Sequence, residues 1–172
     1  SLRFVVLLAF RRLMPGQRVR IEYSVGGGIF LHTPGRELTA EDAEALRAEM
    51  EAITQADLPF TKRQCTLEEA RAYFEADGQI DKVELLKRHN VPFFNAYECG
   101  GMWEYFYGAM VPSTGYVRTF GVQHQLGRGL VILTADPENP GQHAQYIDRP
   151  KHLRIFDQSA KWCSILGVQN AP

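Results

Sequence analysis

The stretch Val91–Tyr107 has the sequence VPFFNAYECGGMWEYFY, in which Gly100-Gly101 separates two aromatic-rich runs. Aromatic and β-branched residues favour strands, and a pair of glycines between two such runs is typical of a tight turn. The stretch therefore predicts an antiparallel hairpin whose strands cover Val91–Glu98 and Met102–Tyr107. Strands joined by so few residues are not parallel neighbours, because parallel pairs need a long crossover connection.

The segments on either side of this hairpin have the spacing of further strands and helices. Alternating or β-branched runs predict five more strands: Val19–Val25, Ile29–His32, Phe60–Cys65, Tyr116–Val122 and Leu130–Ala135. Apolar spacing and capping sequences predict five helices: Leu2–Leu13, Ala40–Gln55, Leu67–Phe74, Gln79–Arg88 and Lys151–Leu166. Helices grouped around hairpins imply the α+β class, with a two-layer domain in which helices pack on an antiparallel sheet. We expect residues 1–135 to form this domain and residues 136–172 to form a linker and terminal helix.

Composition and charge exclude several classes of protein. With 172 residues, of which 45% are hydrophobic, the chain can bury a core and is not a disordered or low-complexity segment. A net charge of -1 gives no global basic field for non-specific nucleic-acid binding. Three cysteines without a CxxC pair favour a reduced, cytoplasmic protein.

The first helix is apolar on every side between Phe4 and Phe10. This run is far shorter than the ~20 residues that a membrane span needs, so no membrane partner is expected. A helix of this kind is usually buried, whereas chain termini normally lie at the surface. The beginning of the chain therefore suggests a fragment excised from a longer protein.

The glycines, histidines and cysteines do not form a cofactor motif. Gly26-Gly27-Gly28 lies between two predicted strands and no lysine follows it, which favours a hairpin turn over a phosphate loop. The five histidines lack the spacing of a zinc site, and a nucleophilic Cys99 has no accompanying catalytic pattern. No metal and no cofactor are expected in this chain.

Two features leave alternatives open. Five arginines precede the first acidic residue, Glu22, and residues 37–57 are strongly acidic. Solvated faces account for these runs, and contact with RNA or a partner domain is the alternative. The aromatic residues around Trp103 and Tyr105 either pack as a hairpin core or line an apolar cleft that could take a small ligand.

Four segments of the chain, in order, resemble a known family. They are AFRRLMPGQRVRIEYSVGGGIF at 9–30, ELTAEDAEALRAEMEAI at 37–53, LEEARAYFEADGQIDKVELL at 67–86 and YFYGAMVPSTGYVRTF at 105–120. The series is similar to the second N-terminal domain of threonyl-tRNA synthetases, an editing domain, over roughly residues 1–122. It most resembles the version fused before a uridine-kinase-like module in bacterial nucleoside kinases. In that version the terminal segment RIFDQSAKWCSILGV looks like the junction with the kinase.

The resemblance also identifies a degenerate site. The editing site of the family uses a His-x-x-x-His pair on the first helix and a Cys-x-x-x-His pair near a Val-Pro turn. Here the second helix histidine corresponds to Phe4, and the Cys and His correspond to Phe106 and Met110. These apolar side chains cannot hold a metal or activate water, so no catalytic residue is expected. Two polar positions match the family, and with their neighbours they form a tentative ligand-binding set: Lys82, Glu104, Tyr105, Ser113 and Thr114.

The resemblance implies a non-catalytic accessory domain of a uridine-kinase-like protein. Such a domain would bind a small molecule or RNA, dock on its own kinase domain, or self-associate. ATP and Mg²⁺ would be needed only by the kinase module, which this chain does not contain. One alternative is a diverged hydrolase that acts on an aminoacyl ester with Lys82 and Glu104. Another is a structural docking or dimerisation module.

Overall fold

The computed structural model describes residues 1–25, 27–88, 93–106, 108–125 and 129–147, together with Gln158 and Trp162. Its α-helices are α1 (Leu2–Leu13), α2 (Ala40–Gln55), α3 (Leu67–Ala76) and α4 (Ile80–Lys87). Its strands are β1 (Arg20–Val25), β2 (Gly28–His32), β3 (Thr61–Thr66), β4 (Phe93–Cys99), β5 (Met102–Glu104), β6 (Gly121–Gln125) and β7 (Gly129–Leu133). Every strand pair is antiparallel, which confirms the predicted α+β class.

The chain divides into two compact units. The first unit comprises Ser1–Arg12 and Met50–Arg118, and the second comprises Leu13–Glu49 and Thr119–Pro172. The first unit holds a three-stranded sheet with the order β3-β4-β5. The second unit holds a four-stranded sheet with the order β1-β2-β7-β6.

The hairpin predicted from the Gly100-Gly101 turn is present in the first unit. Both glycines have positive φ values, 57° and 79°, which side-chain-bearing residues rarely adopt. β5 ends at Glu104, whereas the predicted strand continued to Tyr107, which lies outside the described residues. Directly after β5, the Tyr105 N–H donates to the Glu104 carboxylate at 2.9 Å. Helices α3 and α4 cover one face of this sheet and bury a core: Cys65, Ala70, Phe74, Val83, Leu86, Phe94 and Ala96.

The start of α3 follows the predicted capping box. The Thr66 hydroxyl accepts the Glu69 N–H at 3.2 Å, and the Glu69 carboxylate accepts the Thr66 N–H at 2.8 Å. These hydrogen bonds lower the pKa of Glu69 because they favour its ionised form. The cap satisfies two backbone N–H groups that a helix start would otherwise leave open, and it fixes where β3 ends.

The second unit is built around β7, all five residues of which are buried. β7 pairs with β2, where the approach is so close that a Cβ on Gly28 would lie 2.3 Å from Val131 Cγ1. The chain after β7 folds back, since Ala144 N donates to Thr134 O at 2.8 Å. Tyr146 then packs against a buried cluster: Phe30, Val131 and Leu133.

One predicted strand is absent at its start, and one predicted helix falls outside the described residues. The predicted strand Tyr116–Val122 is wrong, since Thr114–Tyr116 forms a 3₁₀ turn and β6 begins at Gly121. The physical reason is a buried anchor at Thr114, described below. The predicted terminal helix Lys151–Leu166 lies outside the described residues, apart from Gln158 and Trp162. No helix in the described part of the chain is both long enough and apolar enough to cross a lipid bilayer.

Candidate functional site

Lys82 and Glu104 meet in the first unit as an ion pair. Lys82 lies on α4, next to the buried Val83, and Glu104 is the last residue of β5. Glu104 Oε1 accepts hydrogen bonds from Lys82 Nζ and from Tyr105 N. The Glu104 side chain is 7% exposed and that of Lys82 is 29% exposed. The contact expected between these two residues is therefore present, and the lysine is the partner that reaches solvent.

An aromatic residue adjoins each partner of this ion pair: Phe74 lies beside Lys82, and Tyr105 follows Glu104 in the chain. Lys82 Nζ lies 5.3 Å from the centroid of the Phe74 ring, a distance at which a cation is attracted to the ring face. The rings of Phe94 and Tyr105 pack with centroids 4.7 Å apart. A buried carboxylate needs a charged or hydrogen-bonding partner in such surroundings, and Lys82 supplies it.

The three degenerate family positions converge at the first turn of α1. The rings of Phe4 and Phe106 lie with centroids 5.8 Å apart, and Phe60 packs edge-on against Phe4 at 5.3 Å. Met110 Sδ accepts the Ser1 hydroxyl at 3.4 Å, and Ser1 O accepts the Phe4 N–H at 2.9 Å. Phe4 is fully buried. Residues more than a hundred positions apart thus meet at the start of α1. We call the three packed rings of Phe4, Phe60 and Phe106 the apolar cluster, and Met110 is linked to it through Ser1.

Ser113 and Thr114 make a different set of contacts. The Thr114 hydroxyl donates to Ile53 O and accepts the Leu58 N–H, at 2.7 and 2.8 Å. Ser113 donates its hydroxyl to Asp57, a residue whose φ of 50° is unusual for a side-chain-bearing residue. Thr114 is fully buried, so its hydroxyl is an anchor between the loop and the end of α2. The structure therefore joins Lys82, Glu104 and Tyr105 by hydrogen bonds. The hydroxyls of Ser113 and Thr114 instead bond to Asp57 and to backbone groups of Ile53 and Leu58.

Histidine and cysteine, the residue types of the resembled editing site, contribute little to the described part of the first unit. It contains no histidine, because His89 lies outside the described residues. Cys99 is 2% exposed, and burial raises the pKa of its thiol to about 11, so a reactive thiolate is disfavoured at neutral pH. Among the described residues of the whole chain, no three His, Cys, Asp or Glu side chains are grouped to hold a metal ion.

Sequence reasoning missed three contributors to this region. Phe60 packs beside Phe4, and Phe74 lies beside Lys82. In the sequence both residues look like ordinary core phenylalanines, so nothing indicated these contacts. Asp57 did have a sequence signal: it lies in the segment Gln55-Ala56-Asp57-Leu58-Pro59, directly after a helix and before a proline. Such a position is typical of a turn in which an acidic side chain accepts nearby hydrogen bonds.

Comparison with known proteins follows the resemblance found in the sequence. No protein-family model matches the chain. A threonine–tRNA ligase of Nitratidesulfovibrio vulgaris strain Miyazaki F is 31% identical over 92% of this chain. Threonine–tRNA ligases of Carboxydothermus hydrogenoformans and Burkholderia ambifaria are 34% and 28% identical over 65% and 74% of it. This chain is similar to one segment of threonine–tRNA ligases.

The similarity covers a minor part of each relative. The chain spans 27% of the Nitratidesulfovibrio ligase, 18% of the Carboxydothermus ligase and 20% of the Burkholderia ligase. The name threonine–tRNA ligase applies to those full-length proteins, of which this chain matches one segment. The shared segment supports a domain like one in threonine–tRNA ligases.

Proposed function

We propose that this chain is a non-catalytic, ligand-binding domain derived from the editing domain of threonyl-tRNA synthetases. The observation that carries the proposal is the apolar cluster. Where the resembled family has histidine and cysteine, this chain has Phe4 and Phe106 with their rings in contact, and Met110 accepts a hydrogen bond from Ser1 at the start of α1. Phenylalanine and methionine neither activate water nor take up a proton.

Ligand binding is supported by the Lys82–Glu104 ion pair, which lies in the same unit as this cluster. Lys82 keeps 29% of its side chain exposed while its partner Glu104 is almost fully buried. A half-buried ammonium held by a carboxylate can donate hydrogen bonds in a fixed direction. Together with the Tyr105 and Phe94 rings it has the character of a small-molecule site, in which a few polar groups lie among apolar ones.

Hydrolysis of an aminoacyl ester is the competing function. It would need a base that can take a proton from water, and Glu104 is the only matching candidate that the resemblance provides. Glu104 Oε1 already accepts from Lys82 and from the Tyr105 N–H. That oxygen is therefore occupied, which favours binding over hydrolysis.

The parent protein that we propose is a uridine-kinase-like nucleoside kinase of the bacterial cytoplasm. Its kinase module would use ATP and Mg²⁺, and this domain would bind a ligand and dock on that module. The support is the resemblance over the whole chain, including the segment RIFDQSAKWCSILGV. Sequencing the gene beyond Pro172 tests this directly: a Gly-x-x-x-x-Gly-Lys-Ser/Thr phosphate loop is expected. A gene that continues into a ligase catalytic domain would contradict it.

Ligand binding is tested by titrating the chain with uridine and, separately, with L-threonine. Backbone amide chemical shifts would be followed by NMR in the wild-type chain and in Lys82→Ala. Lys87→Ala is the matched control, because Lys87 lies on the same helix and pairs with Glu84 at the surface. We expect at least one compound to bind, with an affinity at least tenfold weaker in Lys82→Ala and unchanged in Lys87→Ala. Binding of neither compound, or equal binding by all three chains, would contradict the proposal.

A further inference from the structure

The three-stranded sheet of the first unit has two edges, formed by β3 and β5. An edge strand presents main-chain N–H and C=O groups that no neighbouring strand uses, and proteins usually shorten or cover such edges. β5 has only three residues, and its Trp103 N–H donates to the Tyr73 hydroxyl at 2.8 Å. β3 has six residues, so its edge is the longer of the two.

The hairpin fixes which residues of β3 point their main-chain groups outward. Gly100-Gly101 is a two-residue turn, so Cys99 and Met102 form the hydrogen-bonded pair that closes it. The direction of hydrogen bonding alternates along an antiparallel strand, so Glu98 bonds towards β3, where it lies opposite Thr61. Along β3 the same alternation turns three residues away from β4: Lys62, Gln64 and Thr66.

Both ends of this edge are already occupied. Just before β3, the Phe60 N–H donates to Pro112 O at 3.0 Å. At the end of β3, the Thr66 N–H donates to the Glu69 carboxylate at 2.8 Å. Both donors point outward in the same alternation, which agrees with the direction derived from the hairpin. The part that remains is Lys62–Gln64, which we call the open edge.

The open edge leaves several main-chain groups without a partner. Lys62 and Gln64 each present one outward N–H and one outward C=O. Among the described residues, no main-chain group outside the sheet bonds to either of them. Both residues are exposed, as are Thr61 and Arg63 beside them. Outward residues two positions apart have the spacing of successive hydrogen-bonded pairs in an antiparallel ladder, so a short extended segment could bond to both.

The charges beside the open edge favour a partner that carries a carboxylate. Lys62 forms no ion pair or hydrogen bond with any described side chain, and it lies on the same side of the sheet as Glu104. Glu104 is two strands away and is already paired with Lys82. On the other side of the sheet, Arg63 is paired with Glu98 at 3.3 Å. The charge left uncompensated at the open edge is therefore the Lys62 ammonium.

We propose that the open edge binds an extended acidic segment of another protein, which adds a fourth strand to the sheet. The segment runs antiparallel to β3 and exchanges main-chain hydrogen bonds with Lys62 and Gln64. A Glu or Asp of the segment lies opposite Lys62, where opposite charges stabilise the pair and fix the register. The open edge shares no residue with the Lys82–Glu104 pair, and this proposal does not depend on the proposed function.

A second copy of this chain fits the open edge less well. Two β3 strands related by a two-fold axis can use both open residues of each copy in one register, in which Arg63 faces itself across the axis. Like charges directly opposite destabilise an antiparallel pair. The adjacent registers need the N–H of Phe60 or of Thr66, and both are already bonded.

The test is an NMR titration of the full chain with three peptides. The acidic peptide is acetyl-Ser-Thr-Gln-Thr-Glu-Thr-Ser-amide, in which Gln would lie opposite Gln64 and Glu opposite Lys62. The second peptide has Lys in place of Glu. The third is the acidic peptide N-methylated at Gln and Glu, which keeps the side chains but removes the two main-chain donors.

Two pairs of variants separate charge from main-chain bonding. Lys62→Glu reverses the charge at the open edge, and Lys87→Glu makes the same change on α4 as its control. Gln64→Pro removes an N–H that β4 does not use, which an edge strand tolerates, and Gln64→Ala keeps that N–H. Thermal unfolding checks that each variant folds. The N-methylated peptide tests the same donors of the ladder if Gln64→Pro does not fold.

We expect the acidic peptide to shift the amide signals of Lys62 and Gln64 most. N-methylation should weaken binding at least about tenfold, since two hydrogen bonds are lost. The Lys peptide should bind about fivefold more weakly than the acidic one, and Lys62→Glu, but not Lys87→Glu, should reverse this order. Gln64→Pro should abolish binding and Gln64→Ala should retain it.

Three results would overturn the proposal. The first is the absence of shifts at the Lys62 and Gln64 amides with any peptide. The second is equal binding of the N-methylated and unmethylated peptides, which would show that no strand is added. The third is a shift of the same amides with protein concentration alone, which would assign the open edge to a second copy of the chain.

Discussion

The Lys82–Glu104 ion pair and the apolar cluster lie in the same unit, yet they are stabilised by opposite kinds of interaction. The pair places a nearly buried carboxylate against a partly exposed ammonium. The cluster packs the rings of Phe60 and Phe106 against the fully buried ring of Phe4. At the positions that the resemblance pairs with histidine and cysteine, this chain has Phe4, Phe106 and Met110. The proposed function assigns ligand binding to the ion pair and no chemistry to the cluster, and substitutions in each region test these two parts separately.

The largest effect is expected in the apolar cluster. Phe4→Ala should lower the free energy of unfolding by about 3–5 kcal/mol, because it removes a fully buried ring and leaves a cavity. Leu85→Ala is the control, since Leu85 is 45% exposed, and it should cost under about 1 kcal/mol. Urea unfolding followed by circular dichroism measures both. A loss below about 1 kcal/mol in Phe4→Ala would show that the cluster is not a packed core.

The loop anchor at Thr114 should give the next largest effect. Thr114→Val keeps the shape of the side chain but removes its hydrogen bonds with Ile53 O and Leu58 N. Two buried backbone groups would lose their partner, which costs about 1–3 kcal/mol of unfolding free energy. Thr61→Val, at an exposed position on β3, is the control and should change stability little. Equal unfolding midpoints for the two variants would contradict the anchor role.

The ion pair is expected to contribute less than either buried feature. A double-mutant cycle with Lys82→Met and Glu104→Gln should give a coupling energy of about 1–2 kcal/mol, between the values for exposed and buried pairs. The Lys87–Glu84 pair, with side chains 53% and 60% exposed, is the reference and should couple by less than about 0.5 kcal/mol. Chemical unfolding at low salt measures both cycles. Equal coupling in the two pairs would mean that the Lys82 site is an ordinary surface contact.

The smallest effect at neutral pH concerns Cys99. Its pKa is raised to about 11 by burial, above the unfolded value of 9.0, so its contribution to stability is complete below pH 9 and declines as pH rises towards 11. At pH 8 the native thiol should react slowly with iodoacetamide and quickly once urea unfolds the chain. Peptide mapping by mass spectrometry identifies the modified residue. Rapid modification of native Cys99 at pH 8 would contradict its buried state.

Local patterns allowed most elements of the fold to be predicted. The capping box at Thr66 and the hairpin turn at Gly100-Gly101 depend on residues close in sequence, and both are present as expected. The strand predicted over Tyr116–Val122 failed because its start is held by Thr114 through Ile53, a residue 61 positions away. A contact of that range leaves no periodic signal. The separation of the strands into two sheets depends on pairing of the same long range.

In the candidate site, too, some features were predicted from the sequence and others depend on long-range packing. Lys82 and Glu104 were found because they match a family pattern residue by residue, and their contact followed. The surroundings that decide what the pair can do, Phe74 above Lys82 and Phe94 beside Tyr105, come from packing between α3, β4 and the chain after β5. Ser113 was selected for its hydroxyl, but the hydroxyl donates to Asp57. Side-chain polarity was enough to select candidate residues, but the contacts that each one makes depend on how the chain packs.

The most direct test of binding without chemistry is a deacylation time course. Aminoacyl-tRNA, both correctly charged and mischarged, would be incubated with the wild-type chain, Lys82→Ala and Lys87→Ala, and the remaining ester would be counted. The account predicts hydrolysis at the rate of buffer alone for all three chains, because the apolar cluster occupies the positions from which water would be activated. Faster hydrolysis by the wild-type and Lys87→Ala chains that disappears in Lys82→Ala would contradict it.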